Sequence, residues 1–134
     1  MRRRRRALAA AAAEAGAEAA RRLPDDALPP IQVFAAYLPA GAEMDPGPLA
    51  RRLLALGAAQ VLPRVTEDGP MRFLEAAPGC ALEPDAAGQP APASGAPERR
   101  PNLVIAPLLA FDRLGGRLGQ GGGHYDRALA ALRR

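Results

Sequence analysis

The most constraining feature of this sequence is a glycine-rich stretch near its C-terminus, between an apolar run and a helical pattern. The apolar run covers residues 103–111, the glycines follow within 115–123, and apolar residues at helical spacing begin at Tyr125. Glycine adopts positive φ at low cost, which leaves backbone N–H groups free to converge on an anion. The following helix directs its positive end toward the same point. A strand, a glycine loop and a helix therefore predict an anion site, formed by Gly119, Gly121, Gly122 and Gly123.

Charged residues surround this loop. Arg117 and Arg127 flank it and can supply full positive charges, and Asp126 lies in the first turn of the predicted helix. A carboxylate there can hold a metal ion that bridges phosphate oxygens. The alternative is a glycine linker before a terminal helix, with Asp126 only complementing the helix dipole. The spacing is neither the Walker nor the dinucleotide pattern, so the glycines alone leave both interpretations open.

The set of residues at 106–127, APLLAFDRLGGRLGQGGGHYDR, resembles the signature of the 5-formyltetrahydrofolate cyclo-ligases, also called methenyltetrahydrofolate synthetases. That family's pattern is a strand ending in Pro, then Phe-Asp, a Gly, and Arg-Leu-Gly-x-Gly-x-Gly-x-Tyr-Asp. This sequence departs from it at Gln120 and His124, where the family usually carries an aromatic residue.

The resemblance implies a set of ligand-binding residues. ATP would be bound by Arg117, Leu118, Gly119, Gln120, Gly121, Gly122, Gly123, His124 and Tyr125. The substrate would share Gln120, Gly121, Gly122, Gly123 and His124, and Asp126 would hold Mg²⁺. Tyr125 either hydrogen-bonds the transferring group or packs under the loop, and its helical phase with Leu129 favours packing. An N-terminal Lys-x-x-x-Arg pair of the family matches the spacing of Arg2 and Arg6, although a solvated helix end also explains these arginines.

A second segment of the chain resembles the same family. Residues 31–38 read as a buried strand, Asp45 and Pro46 are typical of a helix start, and Gln60–Val65 reads as another strand. This is the length of a right-handed βαβ unit. Its first loop resembles the family's Tyr-x-x-x-x-x-Glu-x-Asp segment, which implies that Leu38 and Glu43 contact the folate. A solvated loop carboxylate is the alternative for Glu43.

The rest of the chain is less specific. Helix-forming residues predict one helix from about Arg3 to Leu23, and Glu14 and Glu18 interrupt any signal-peptide interpretation. Met71–Glu75 is expected as the arm of an edge hairpin. Residues 85–101, rich in Pro, Ala, Gly and Ser, are expected to be a flexible surface loop without a site.

The length and composition of the chain exclude several classes of protein. The chain has 134 residues, which suits one domain, and its 49% hydrophobic content is largely alanine, so the core is modest. Five arginines at Arg2–Arg6 account for the net charge of +4, so no broad nucleic-acid surface is indicated. The single cysteine, Cys80, allows no internal disulfide and favours a cytoplasmic location. No Cys/His cluster suits zinc, and no run approaches the roughly 20 apolar residues of a membrane helix.

These features together predict an α/β fold, a single domain with a mostly parallel sheet flanked by helices. The family implies the fold of ribose-phosphate isomerases and CoA transferases. Family members continue beyond this helix with another strand and a metal-binding Asp, so 1–134 is expected to be an incomplete domain.

The implied activity is ATP-dependent cyclisation of 5-formyltetrahydrofolate to 5,10-methenyltetrahydrofolate, with ADP and phosphate released and Mg²⁺ required. One alternative is a non-catalytic nucleotide- or phosphate-binding relative. Another is an RNA-associated protein that uses Arg2–Arg6, whose binding would weaken steeply with salt.

Overall fold

The structure is a computed structural model that describes residues 2–134, with the side chain of Arg2 outside the described part. The expectation that Arg2 contacts ATP therefore falls outside the described residues. The helices are α1 (Arg2–Ala11), α2 (Ala15–Arg21), α3 (Gly47–Ala55) and α4 (His124–Leu132). The strands are β1 (Val33–Ala35), β2 (Ala59–Arg64), β3 (Arg72–Glu75), β4 (Leu82–Pro84), β5 (Pro90–Pro92), β6 (Leu103–Val104), β7 (Ala110–Phe111) and β8 (Arg117–Leu118).

A four-stranded sheet in the order β3-β2-β1-β6 organises the chain. The central strand, β1, pairs in parallel with β2 on one side and with β6 on the other. Strand β3 pairs antiparallel with β2 and forms one edge. The predicted α/β class and the βαβ unit are confirmed. The hairpin arm expected at Met71–Glu75 is present as β3, and its antiparallel pairing makes the sheet mixed.

The core divides between the two faces of this sheet, because side chains alternate along a strand. On one face Phe34, with no exposed surface, packs with Leu53 of α3 and Leu62 of β2. On the other face Val33 and Ala35 belong to the cluster that Phe73 and Ala128 of α4 complete. Helices α3 and α4 therefore cover opposite faces, and α4 is fixed directly after the glycine loop.

The N-terminal helix differs from the prediction. The prediction of a single helix over Arg3–Leu23 is wrong, because a turn at residues 12–14 separates α1 from α2. Helix propensity is high throughout this segment, but α2 docks on α3, where the guanidinium of Arg52 donates to the carbonyl of Ala20 and pairs with Asp25. Tertiary contacts thus set the direction of α2 independently of α1. No helix among residues 2–134 is both long enough and apolar enough to cross a bilayer.

Residues 85–101 also differ from the flexible loop that their composition suggests. Strand β5 pairs with β4, Ala91 is fully buried, and Glu98 forms a bridge with Leu74 of the sheet edge. The carboxylate of Asp85 accepts N–H groups from Val65 at 2.9 Å, Ala87 at 2.9 Å and Gln89 at 3.0 Å. One acidic side chain therefore accepts the backbone N–H groups of the turn and links the turn to the end of β2. The prolines of β4 and β5 are tolerated because these are short edge strands.

Gly16→Ala tests the docking of α2. A Cβ at Gly16, a buried residue, would overlap the carbonyl oxygen of Asp45. Alanine gains about 1 kcal/mol of helix propensity over glycine, but overpacking against backbone costs about 1–3 kcal/mol. We expect a lower Tm in thermal unfolding. Gly95→Ala, where a Cβ meets nothing within 4 Å, is the matched control and should leave Tm nearly unchanged. A higher Tm for Gly16→Ala would show that α2 does not pack this closely.

Candidate active site

A cavity of about 590 Å³ lies at the carboxyl ends of the parallel strands. Strand β1 has its neighbours on opposite sides, so the connections after β1 and β6 leave in different directions and open a crevice, where α/β sheets bind ligands. Its lining comes from the segment after β1, from β2 and β3, from the β4–β5 turn and from the glycine loop. The lining residues outside the glycine loop are Tyr37, Leu38, Ala40, Glu43, Leu62, Pro63, Val65, Met71, Asp85, Ala87, Gln89, Pro90 and Pro107.

One wall is the loop after β1, which holds Leu38 and Glu43, the two predicted substrate residues outside the glycine loop. Leu38, with 42% of its surface exposed, lines the cavity, and so does Glu43. The Tyr37 hydroxyl donates to the Met44 carbonyl at 2.6 Å, and Glu43 Oε2 accepts the Ala40 N–H at 2.9 Å. The loop therefore fixes the Glu43 carboxylate through its own backbone and keeps it at the cavity.

The facing wall is the glycine loop. All the residues from Arg117 to Asp126 line the cavity, so the structure brings together every ATP-binding residue predicted in this segment. Positive φ occurs at Gly121 (100°) and Gly123 (67°) but not at Gly119 or Gly122, although all four were expected to be able to adopt it. Gly123 is also the N-cap of α4, so the loop leads directly into the positive end of that helix.

The charged residues of this wall are paired with one another. The Arg117 guanidinium contacts the Asp126 carboxylate, whose side chain is 77% exposed. Arg127, expected to offer charge beside the loop, instead donates to the Gly122 carbonyl at 3.0 Å and does not line the cavity. It stabilises the loop from outside.

The metal expectation rests on Asp126 alone. Among residues 2–134 no three His, Cys, Asp or Glu side chains converge on a metal position. Mg²⁺ commonly binds through one or two carboxylates together with substrate phosphates and water, and one exposed carboxylate beside an anion loop fits that mode.

A side-chain hydrogen bond joins the two walls. Gln120 Nε2 donates to Glu43 Oε1 at 2.9 Å, across 77 positions of sequence. The sequence predicted both residues at the substrate but not their contact, because no local pattern relates the two loops.

Two tyrosines line the cavity, Tyr37 after β1 and Tyr125 in α4. Tyr125 packs against the core cluster that contains Ala128, as its helical phase predicted. Burial raises the pKa of Tyr125, with smaller contributions from Glu43 and Tyr37. Burial likewise raises the pKa of Tyr37 to about 12, helped by Glu43 and Asp45. Both hydroxyls therefore keep their protons at neutral pH.

Two predictions about the site need correction. The segment 85–101 was expected to carry no site, yet its turn lines the cavity through Asp85, Ala87, Gln89 and Pro90. The only signal in the sequence was an Asp three residues before Gly88, which is typical of a turn. Arg6 is exposed and does not line the cavity. A four-residue spacing places Arg2 and Arg6 on one helix face, but it does not determine what that face meets.

Fold and site together define an α/β protein with a ligand cavity between a glycine loop and a carboxylate-bearing loop. The model of the 5-formyltetrahydrofolate cyclo-ligase family matches residues 1–134, and the chain belongs to this family. A 5-formyltetrahydrofolate cyclo-ligase of Mycolicibacterium smegmatis is 35% identical over 106 residues, which cover 70% of this chain and 53% of that protein. One from Escherichia coli is 34% identical over 125 residues, covering 87% of this chain and 68% of that protein.

Solved structures are similar as well. The NMR structure of Aquifex aeolicus 5,10-methenyltetrahydrofolate synthetase matches with a TM-score of 0.64 at 28% identity, covering 97% of this chain and 64% of that one. A 5,10-methenyltetrahydrofolate synthetase of Mycoplasma pneumoniae matches with a TM-score of 0.57 at 23% identity, covering 89% and 63%, which bears on the fold alone. The chain thus spans about half to two thirds of the length of these relatives.

Tyr37→Phe tests the buried hydroxyl through alkaline stability. The folded pKa is raised from 10.0 to about 12, so its contribution to stability is complete below pH 10 and is lost as pH rises toward 12. The loss is at most about 1.4 kcal/mol per pH unit. We expect Tyr37→Phe to be less stable at pH 7, because the Met44 carbonyl loses its donor, but to lose less stability between pH 10 and 12.

Urea unfolding at pH 7, 10 and 11 measures this difference. The alkaline range is favourable because the basic side chains are all arginine and the chain has only two tyrosines and one cysteine. If the free energy of unfolding fell equally with pH in the variant and the wild type, the raised pKa of Tyr37 would not be the cause of the alkaline loss of stability.

Proposed function

We propose that this chain carries out ATP-dependent cyclisation of 5-formyltetrahydrofolate to 5,10-methenyltetrahydrofolate, with release of ADP and phosphate. The observation that carries the proposal is the shared cavity, which places a glycine loop opposite the Glu43 carboxylate. The names of its relatives support the same substrate. The cytoplasmic location suggested by composition stays a prediction.

The chemistry needs an activated formyl oxygen, because the oxygen of a formamide is a poor leaving group. In the proposed reaction this oxygen attacks the γ-phosphorus of ATP and ADP departs. The second folate nitrogen then attacks the formyl carbon and loses its proton, and phosphate leaves with the former formyl oxygen. The protein has little covalent work to do, so catalysis consists of positioning and charge stabilisation.

The glycine loop is suited to the phosphates. Its backbone N–H groups and the N-terminus of α4 present partial positive charge, and Arg117 presents a full charge at the same wall. Mg²⁺ would be held by Asp126 and phosphate oxygens, where it would neutralise charge on the phosphates. Arg117 and Asp126 pair with each other, so they lie side by side in this wall. The phosphates can bind the guanidinium of Arg117, and the cation can bind the adjacent carboxylate of Asp126.

The opposite wall is suited to the folate. Glu43 presents a carboxylate to the cavity, and a carboxylate accepts N–H donors such as those of a pterin ring. Leu38, Val65 and Met71 supply apolar surface nearby for the ring to contact. This division gives the nucleotide the glycine-loop wall and the folate the Glu43 wall, with the folate expected to contact residues 120–124 of the glycine loop as well.

The direct test is a spectrophotometric assay for the methenyl product with ATP, Mg²⁺ and 5-formyltetrahydrofolate. Product that appears only when all three are present would support the proposal. ATP binding without any product would favour the non-catalytic relative instead.

Gly121→Val tests the nucleotide assignment. Gly121 has φ of +100°, a conformation that a β-branched residue strongly disfavours, so the loop should change shape. We expect ATP affinity, measured by titration calorimetry, to fall at least tenfold, which corresponds to about 1.4 kcal/mol.

Gly57→Val is the matched control. Gly57 has a similar φ of +92°, a Cβ there meets nothing within 4 Å, and it follows α3 rather than lining the cavity. Both variants should lose stability, but only Gly121→Val should lose ATP. Equal ATP affinity in the two variants would remove the glycine loop from the nucleotide site.

A further inference from the structure

The hydrogen bond between Gln120 and Glu43 has an unusual position in the fold. Among the hydrogen bonds of the described residues, it alone connects residues 106–127 with residues 2–105. The other hydrogen bonds of this segment stay within it or within α4, as in the β7–β8 hairpin and at Arg127. A single side-chain hydrogen bond therefore links the glycine loop to the facing loop.

The orientation of the Gln120 amide follows from its partner. An ionised carboxylate has only acceptors, so the amide nitrogen must face Glu43, and the hydrogen bond is charge-assisted. Glu43 uses Oε2 for the Ala40 N–H and Oε1 for Gln120, so each oxygen has one protein donor. Each oxygen keeps a further lone pair for a ligand.

Gln120 lies between two glycines of the loop. The neighbours Gly119 and Gly121 have no side chains, so Gln120 is the loop residue between them that can reach across.

We propose that Gln120 is a positioning residue that holds Glu43 toward the folate and couples the two ligands, so that each tightens the binding of the other. The proposal rests on the proposed function. A nucleotide that orders the glycine loop fixes Gln120, and Gln120 fixes the carboxylate. By linkage, a folate that orders Glu43 must favour the nucleotide by the same factor.

A polarity swap tests the coupling. Gln120→Glu places two carboxylates face to face. Glu43→Gln leaves the Ala40 N–H and the Gln120 amide competing for one oxygen. In the double variant Q120E/E43Q, the amide of residue 43 can donate to the new carboxylate while its oxygen accepts from Ala40, so the bridge is restored with reversed polarity.

The measurement is the affinity for a non-hydrolysable ATP analogue with Mg²⁺, by calorimetry, with and without saturating 5-formyltetrahydrofolate. We expect folate to tighten the analogue about fivefold to twentyfold in the wild type and less than twofold in Gln120→Glu. The double variant should regain most of the factor once folate is raised to saturation for that variant, because the loss of the Glu43 carboxylate weakens folate binding itself. Gln89→Glu adds the same charge to the same cavity away from the bridge, so it should weaken the analogue without changing the factor.

The outcomes separate the two proposals. An unchanged factor in Gln120→Glu, or a double variant no better than Gln120→Glu, would overturn the coupling while leaving the proposed function intact. A wild type that binds neither ligand would overturn the proposed function. Even then, thermal unfolding of the ligand-free variants tests the hydrogen bond between Gln120 and Glu43. If the loss of Tm in the double variant equalled the sum of the losses in the two single variants, no coupling between these residues would exist.

Discussion

The pairing of β1 with β6 is the contact on which the site depends. Strand β1 is buried along its length, and Phe34 lies beside Leu103 in the parallel register. The Asn102 side chain fixes this register at its start, because its oxygen accepts the Val33 N–H at 3.2 Å and its nitrogen donates to the Pro30 carbonyl at 2.9 Å. Since β6 leads to the glycine loop and β1 leads to the Glu43 loop, this register brings the two loops to the same edge.

Several polar groups at the cavity have protein partners before any ligand binds. Arg117 pairs with Asp126, Glu43 is held by two N–H donors, and the Tyr37 hydroxyl donates to a backbone carbonyl. A ligand therefore meets oriented groups and must exchange partners with them, which favours a ligand that carries both an anion and N–H donors. The buried tyrosines add neutral hydroxyls, because burial raises their pKa.

The sequence predicted the two loops well because their signals are local. Glycines between a strand and a helix, and a helix start just after Asp45, depend on backbone conformation that neighbouring residues determine. Asp45 itself is not the N-cap that was expected, because α3 begins at Gly47 after Pro46 and no side chain caps it. The break between α1 and α2 escaped prediction because alanine and arginine favour helix on both sides. The direction of α2 is set instead by tertiary contacts, among them the close approach of Gly16 to Asp45. The β4–β5 hairpin escaped because proline and alanine resemble a linker, while Asp85 acts through N–H groups as distant as Val65. The contact between Gln120 and Glu43 depends on the register of β6 and has no local signal.

The central claim is that both ligands share the cavity between these loops. Amide chemical shifts of ¹⁵N-labelled protein, recorded with a non-hydrolysable ATP analogue and then with added 5-formyltetrahydrofolate, test it most directly. The account predicts that the analogue shifts the amides of residues 117–126 and that folate then shifts those of residues 38–45. Amides near the groove between Leu28 and Leu56, which shares no lining residue with the cavity, should stay unchanged. Shifts in that groove with an unperturbed glycine loop would contradict the account.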